Sequence, residues 1–118
     1  MLPRPEPGQV IAQVQAWAVD QAARVPSLQK VALFGSYGRG SAGVGSDLDL
    51  VLVDAAASGP QQARLLCWQL ELLPLSCDAL VLTPAEHKAL LGAGSRFATE
   101  LHRDARWVWC RQLSDPQP

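Results

Sequence analysis

Fifteen residues, Gly35-Ser36-Tyr37-Gly38-Arg39-Gly40-Ser41-Ala42-Gly43-Val44-Gly45-Ser46-Asp47-Leu48-Asp49, constrain this chain more than any other part of it. Apolar Val31-Ala32-Leu33-Phe34 precedes them and Leu50-Val51-Leu52-Val53 follows. The pattern predicts a strand, a glycine-rich turn, and a return on a second strand that opens with two carboxylates. Five of the nine glycines lie between Gly35 and Gly45. That density marks backbone that approaches another group closely or takes positive φ. Successive backbone N–H groups in such a turn form an anion-binding concavity. A short helix opening over Ser36 to Gly40 would add the partial positive charge of its N-terminus. Ser36 would then cap that helix or bond a phosphate oxygen directly. Arg39 is the basic residue of the loop, and a guanidinium suits a phosphate. The run is neither a P-loop, which needs Lys-Ser or Lys-Thr after its last glycine, nor a dinucleotide fingerprint, which needs Gly-x-Gly-x-x-Gly. Taken alone, the glycines also suit a flexible hairpin.

Asp47 and Asp49 stand two apart, so in a strand both project from one face while Leu48 and Leu50 project from the other. A rise of about 3.3 Å per residue separates their Cα atoms by roughly 6.6 Å. Two like charges at that spacing repel unless a cation sits between them. Carboxylate oxygens without imidazole favour Mg²⁺ or Mn²⁺ over zinc. The pair alone also reads as two solvent-facing aspartates at a strand entrance, because aspartate forms turns readily. Asp78 adds a third acid. It interrupts Leu75-Ser76-Cys77-Asp78-Ala79-Leu80-Val81-Leu82, otherwise the pattern of a buried strand. Charges are rarely buried unless paired or metal-bound, so Asp78 is placed on a neighbouring strand facing the same site; the plainer alternative is an exposed position at the strand's start.

Gly35-Ser36, ten residues, Asp47-Leu48-Asp49 and a later strand carrying Asp78 together resemble the nucleotidyltransferase superfamily of DNA polymerase beta. The brevity resembles its minimal branch, small proteins often found as antitoxin partners of HEPN-domain toxins. The resemblance spans residues 10 to 110, with one departure: Gly38 stands where many relatives carry alanine, a change expected to loosen the turn. It implies an α/β (α+β) fold, a small mixed sheet of about four strands flanked by helices. It implies transfer of AMP from ATP, or of another nucleotide from its triphosphate, onto a hydroxyl of a partner protein with release of pyrophosphate. Asp47 and Asp49 would hold two Mg²⁺ ions, with Mn²⁺ as a substitute, in the two-metal manner. Asp78 would complete the second site and help deprotonate the acceptor. Gly35, Ser36 and Arg39 would hold the β- and γ-phosphates, and Ser46 joins the nucleotide-binding positions. Two other readings stay open: an antitoxin that neutralises a toxin by covering it without catalysis, and a transferase acting on a small molecule, whose relatives usually carry a second domain to hold the acceptor.

At 118 residues the chain is expected to form a single domain, 1–118, and its 48% apolar content supports a real core. The net charge of −1 and the lack of a Lys/Arg run argue against direct nucleic-acid binding. Cys67, Cys77 and Cys110 are odd in number, widely separated and set in apolar runs; they read as buried free thiols in a reducing cytoplasm. No leader-like or membrane-spanning apolar stretch is expected. Residues 1–8 and 114–118 are expected to be flexible.

Val10, Ile11, Val14, Trp17, Ala18 and Val25 recur at helical spacing and predict a first helix over 8–25. Ser58-Gly59-Pro60 predicts the start of a second helix running to Leu73, apolar around most of its circumference. Such a helix is either central to a small core or covered by a partner. Thr83-Pro84-Ala85-Glu86 is a capping box opening a helix to Leu91, with Glu86, His87 and Lys88 on its solvated face. A further helical turn is placed over Arg96–Arg103. Arg106-Trp107-Val108-Trp109-Cys110 reads as a last strand with Trp107 and Trp109 on one side, covered by helices or used in assembly with itself or with a helical toxin.

Overall fold

The structure is a computed structural model, and it describes residues 6–43 and 45–111. The expected flexibility at 1–5 and 114–118 lies outside the described residues. Glu6 precedes the first helix, α1 (Pro7–Arg24), which places Pro7 in its first turn. Proline is tolerated there because its missing N–H would have no partner in the helix anyway. Val10, Val14, Trp17, Ala18, Gln21 and Ala22 form its buried stripe. The remaining elements are β1 (Leu28–Phe34), α2 (Gly35–Arg39), β2 (Leu48–Asp54), α3 (Gln61–Leu65), a 3₁₀ turn (Leu70–Leu72), β3 (Cys77–Leu82), α4 (Pro84–Gly92), α5 (Arg96–Asp104) and β4 (Arg106–Cys110). No described helix is long and apolar enough to cross a membrane.

The four strands form one mixed sheet in the order β3-β2-β1-β4. β1 pairs antiparallel with both β2 and β4, while β2 and β3 run parallel. Leu48, Leu50 and Leu52 of β2 face α1 in the larger core cluster, and Val51 and Val53 face Leu101 of α5 on the other side. Both faces are covered, which is why β2 is an almost unbroken apolar run.

The expected second helix stops at Leu65 instead of Leu73. Tertiary partners take the backbone it would need. Trp17 Nε1 donates to Gln69 O at 2.9 Å, Gln69 N donates to Gln21 Oε1 at 3.1 Å, and Arg24 donates to Cys67 O. With these groups satisfied from α1, the chain turns, buries Trp68 and Leu73, and leaves Leu66 and Leu72 exposed. A second correction concerns β4. A register irregularity sets Val31 opposite Trp109 but Ala32 opposite Trp107. Consecutive β1 residues face opposite sides, so the two tryptophans separate. Trp109 packs on the α1 cluster, and Trp107 meets His87 edge-on at 5.4 Å with Lys30 Nζ 4.5 Å from its ring.

His87 is therefore buried under Trp107 and not on a solvated face. The thiols depart from expectation too: Cys67 and Cys110 are exposed and Cys77 is half-buried, all three free. The capping box forms as expected, with Glu86 N donating to Thr83 Oγ1 at 3.1 Å and Thr83 N to Glu86 Oε1 at 2.9 Å. Glu86 also carries a bidentate pair with Arg64, at 2.6 and 3.0 Å.

Candidate active site

β1 ends at Phe34 and the chain turns at once into α2. Gly35 makes the corner with φ +61, a left-handed conformation that glycine adopts without steric cost. A Cβ added to Gly35 would collide with the Asp49 carboxylate, so the bare backbone of the turn lies directly against an acid of β2. Phe34 occupies the cap position of α2 with no side-chain cap. Ser36 thus sits inside the first turn, half-buried, and does not cap the helix as expected. Its carbonyl accepts from Gly40 N and from Ser41 N, which closes the short helix. Ser46 Oγ accepts from Gly43 N at 3.0 Å while Ser46 N donates to Gly43 O at 3.1 Å, bracing the loop that leads to Asp47.

β2 begins at Leu48, so Asp47 lies just before the strand and is exposed, whereas Asp49 lies within it, half-buried. Asp49 pairs with Phe34 on β1 and with Asp78 on β3. Register partners in a parallel ladder lie about 4.8 Å apart, with side chains on one face. Asp78 is exposed at the second position of its strand. Asp78 lies on the neighbouring strand in register with Asp49, at the exposed position near the strand's start rather than as a buried charge. Burial holds the Asp49 carboxyl above the usual carboxylate range, reinforced by Asp78 and then Asp47, with Arg39 pulling the other way. The same surroundings push the Cys77 thiol up to about 12, first through burial and then through Asp78 and Asp49, which makes it a poor nucleophile.

No three His, Cys, Asp or Glu side chains are gathered closely enough to hold an ion as they stand, among the described residues. By donor type and charge the acids nonetheless fit a hard divalent cation: the donors are oxygens only, and Asp49 feels both of its neighbours.

Arg39 is not a free cation. Its Nη1 lies 3.3 Å from Oδ2 of Asp104 at the end of α5, and Asp104 is buried. Gly38 explains the docking of these helices. A Cβ there would strike the backbone carbonyl of Asp104 and come within 2.8 Å of Leu33 O. The glycine at this position lets α5 close on α2; it does not loosen the turn. A cavity of about 350 Å³ opens beside Asp47, walled by Pro7, Tyr37, Ala42 and Leu75 and edged by Ser46. That volume is at the lower end for small-molecule sites. Asp104, Arg103 and this cavity were not singled out from the sequence. Asp104 stands 65 residues from Arg39, and no local pattern marks it.

The nucleotidyltransferase domain family matches residues 19–108. None of the curated proteins matches the chain significantly. Among solved structures, a Sulfolobus solfataricus protein assigned to the nucleotidyltransferases is similar with TM-score 0.65 at 17% identity, over 94% of each chain. A chain of a toxin–antitoxin complex with AMP-PNP is similar with TM-score 0.57 at 22% identity, over 83% of this chain and 74% of that one. A chain of the complex between tri-AMPylated Shewanella oneidensis HEPN toxin and its MNT antitoxin is similar with TM-score 0.54 at 19% identity, over 91% and 75%. At these identities the likeness is one of fold, and the fold agrees with the family that the sequence matches across most of its length. The chain belongs to the nucleotidyltransferase domain family.

Proposed function

We propose that this protein transfers AMP from ATP to a hydroxyl on a partner protein, as the antitoxin of a cytoplasmic HEPN-type toxin pair. The observation that carries the reading is the contact of Gly35 with Asp49, itself the register partner of Asp78. A glycine turn with bare backbone and the acids that phosphoryl chemistry requires thus lie at one end of the sheet. Asp47, Asp49 and Asp78 would hold two Mg²⁺ ions, which supply charge neutralisation for the triphosphate and for the attacking oxygen.

The backbone at Gly35 and Ser36, with Arg39, holds the β- and γ-phosphates, and the cavity beside Ser46 and Asp47 accommodates the nucleoside. The acceptor oxygen attacks the α-phosphorus and forms the new P–O bond. The bond to the β-phosphate breaks, pyrophosphate leaves, and Asp78 takes the hydroxyl proton. Positioning and electrostatics supply most of the rate. A partner protein would supply the acceptor hydroxyl. The solved complexes support its nature: one similar chain comes from a complex whose HEPN toxin is tri-AMPylated, another from a toxin–antitoxin complex with AMP-PNP.

Co-expression with a HEPN-type protein, followed by intact mass measurement of that protein, tests the reading. Addition of one or more adenylates, lost in an Asp47→Asn/Asp49→Asn variant, is the expected result. A complex that neutralises the toxin with no mass change would replace transfer by simple covering.

A further inference from the structure

We propose that Arg103 joins Arg39 in gripping the terminal phosphates of the nucleoside triphosphate, and that buried Asp104 positions both guanidiniums. The inference rests on the nucleotidyltransferase reading and adds to it a residue of α5 outside the glycine loop. One carboxylate oxygen serves two arginines: Asp104 Oδ2 accepts from Arg39 Nη1 at 3.3 Å and from Arg103 Nη2 at 3.3 Å, and Oδ1 accepts from Arg103 Nε at 2.9 Å. The Asp104 side chain is 6% exposed, whereas those of Arg39 and Arg103 are 47% and 64% exposed.

A single guanidinium neutralises a carboxylate, so the second leaves the cluster with one net positive charge. Each guanidinium carries five N–H donors. Asp104 takes one from Arg39 and two from Arg103, so most remain for another acceptor. Planar forks held by a carboxylate suit phosphate oxygens in bidentate geometry.

The location supports the same partner. The Asp104 carbonyl lies against Gly38, so the end of α5 is seated on α2, whose first residue touches Asp49. α2 has five residues, a length of about 7.5 Å. The arginine pair is therefore within a triphosphate's reach of the acids. The plainer role for Arg103 is helix-terminal: a cation in the last turn favours the helix dipole and neutralises its neighbour. That role carries no preference for the number of phosphates on a nucleotide, which separates the two readings.

The test is titration of the full chain with Mg²⁺ and AMP-PNP, and separately with AMP, read by calorimetry and by the nucleotide-induced rise in melting temperature. Arg103→Ala is expected to weaken AMP-PNP about tenfold or more, by loss of charge-assisted contacts. AMP affinity should stay at the wild-type value, while the melting temperature without ligand falls on either reading, because buried Asp104 loses a partner. Arg103→Lys, which keeps the charge without the fork, should fall between. Asp104→Asn should also weaken AMP-PNP over AMP; the Arg103 variants carry the test should that variant fail to fold. Wild-type AMP-PNP affinity in Arg103→Ala overturns the proposal and leaves the nucleotidyltransferase reading standing. So does an equal loss of affinity for AMP and AMP-PNP. A wild-type protein that binds no AMP-PNP overturns both.

Discussion

Gly35 packs its bare Cα against the carboxylate of Asp49: a methyl group there would overlap Oδ2 and lie 3.2 Å from Cγ. The turn that would cradle phosphate and the acid that would hold metal thus lie in direct contact.

Gly35→Ala should therefore damage the site more than the fold. The left-handed φ of +61 costs an alanine about 1–2 kcal/mol, and the new methyl displaces the Asp49 side chain. Chemical denaturation is expected to show that modest loss, while nucleotide turnover falls well beyond what the unfolded fraction explains. Wild-type turnover in this variant would break the link between the turn and the acid.

Asp47→Asn and Asp49→Asn should each abolish Mg²⁺-dependent transfer. Without metal, Asp49→Asn should melt at or above the wild-type temperature, because burial and its neighbours Asp78 and Asp47 disfavour the Asp49 charge. Calorimetric melting in chelator, beside turnover in Mg²⁺, checks both halves. A large drop in melting temperature would mean that the carboxylate serves the fold.

Gly38→Ala should destabilise by about 1–3 kcal/mol, the usual cost of overpacking. The added methyl meets the backbone of Asp104 and Leu33, which cannot swing aside as a side chain does. Gly43→Ala is the control, since a Cβ there meets nothing within 4 Å. Equal urea midpoints for the two variants would contradict the tight docking of α5 on α2.

Gln21→Leu should cost about 1–3 kcal/mol, the penalty for leaving a polar group without its partner. Gln21 accepts from Gln69 N and donates to Gln69 Oε1 at 2.8 Å, and it is itself buried. Loss of the acceptor should also free the segment after α3. Faster amide exchange around Gln69, at a rate distinct from global unfolding, is the measurement.

Stability should also carry a signature of Glu86. Hydrogen bonds from Arg64, then from Thr83, hold its carboxyl down to about 2 from an ordinary 4.5. A lowered carboxyl pKa means that the unfolded chain binds the proton first on acidification. The contribution of Glu86 is thus complete above pH 4.5 and lost as the pH falls toward 2. The stability gap between wild type and Glu86→Gln should be flat at neutral pH and close across that window. A gap independent of pH would remove the ion pair as its cause.

The residues of the glycine loop show how much was legible locally. Gly35, Ser36, Asp47 and Asp49 lie within fifteen residues, and a strand–turn–strand pattern suffices to bring them to one end of the sheet. The apolar run around Asp78 placed it on a strand, where it is the register partner of Asp49, although it is exposed there and not the buried charge that the run suggested. The capping box at Thr83 and Glu86 and the bounds of β4 were legible for the same cause: each is decided by residues three or four apart.

Other features depended on residues far apart in the chain. The helix expected to reach Leu73 ends at Leu65, because Trp17, Gln21 and Arg24 take the backbone groups of Cys67 and Gln69. Trp107 and Trp109 part company because β4 slips against β1, and strand register is set by the partner strand. Arg39 finds Asp104 across 65 residues, where no spacing rule reaches. The sequence by itself determined the element pattern and the chemistry of the loop, since propensity, capping and side-chain alternation act over a few residues. Tertiary structure decided which cation stands beside that loop and where the third helix stops, because those outcomes turn on long-range pairing of buried polar groups.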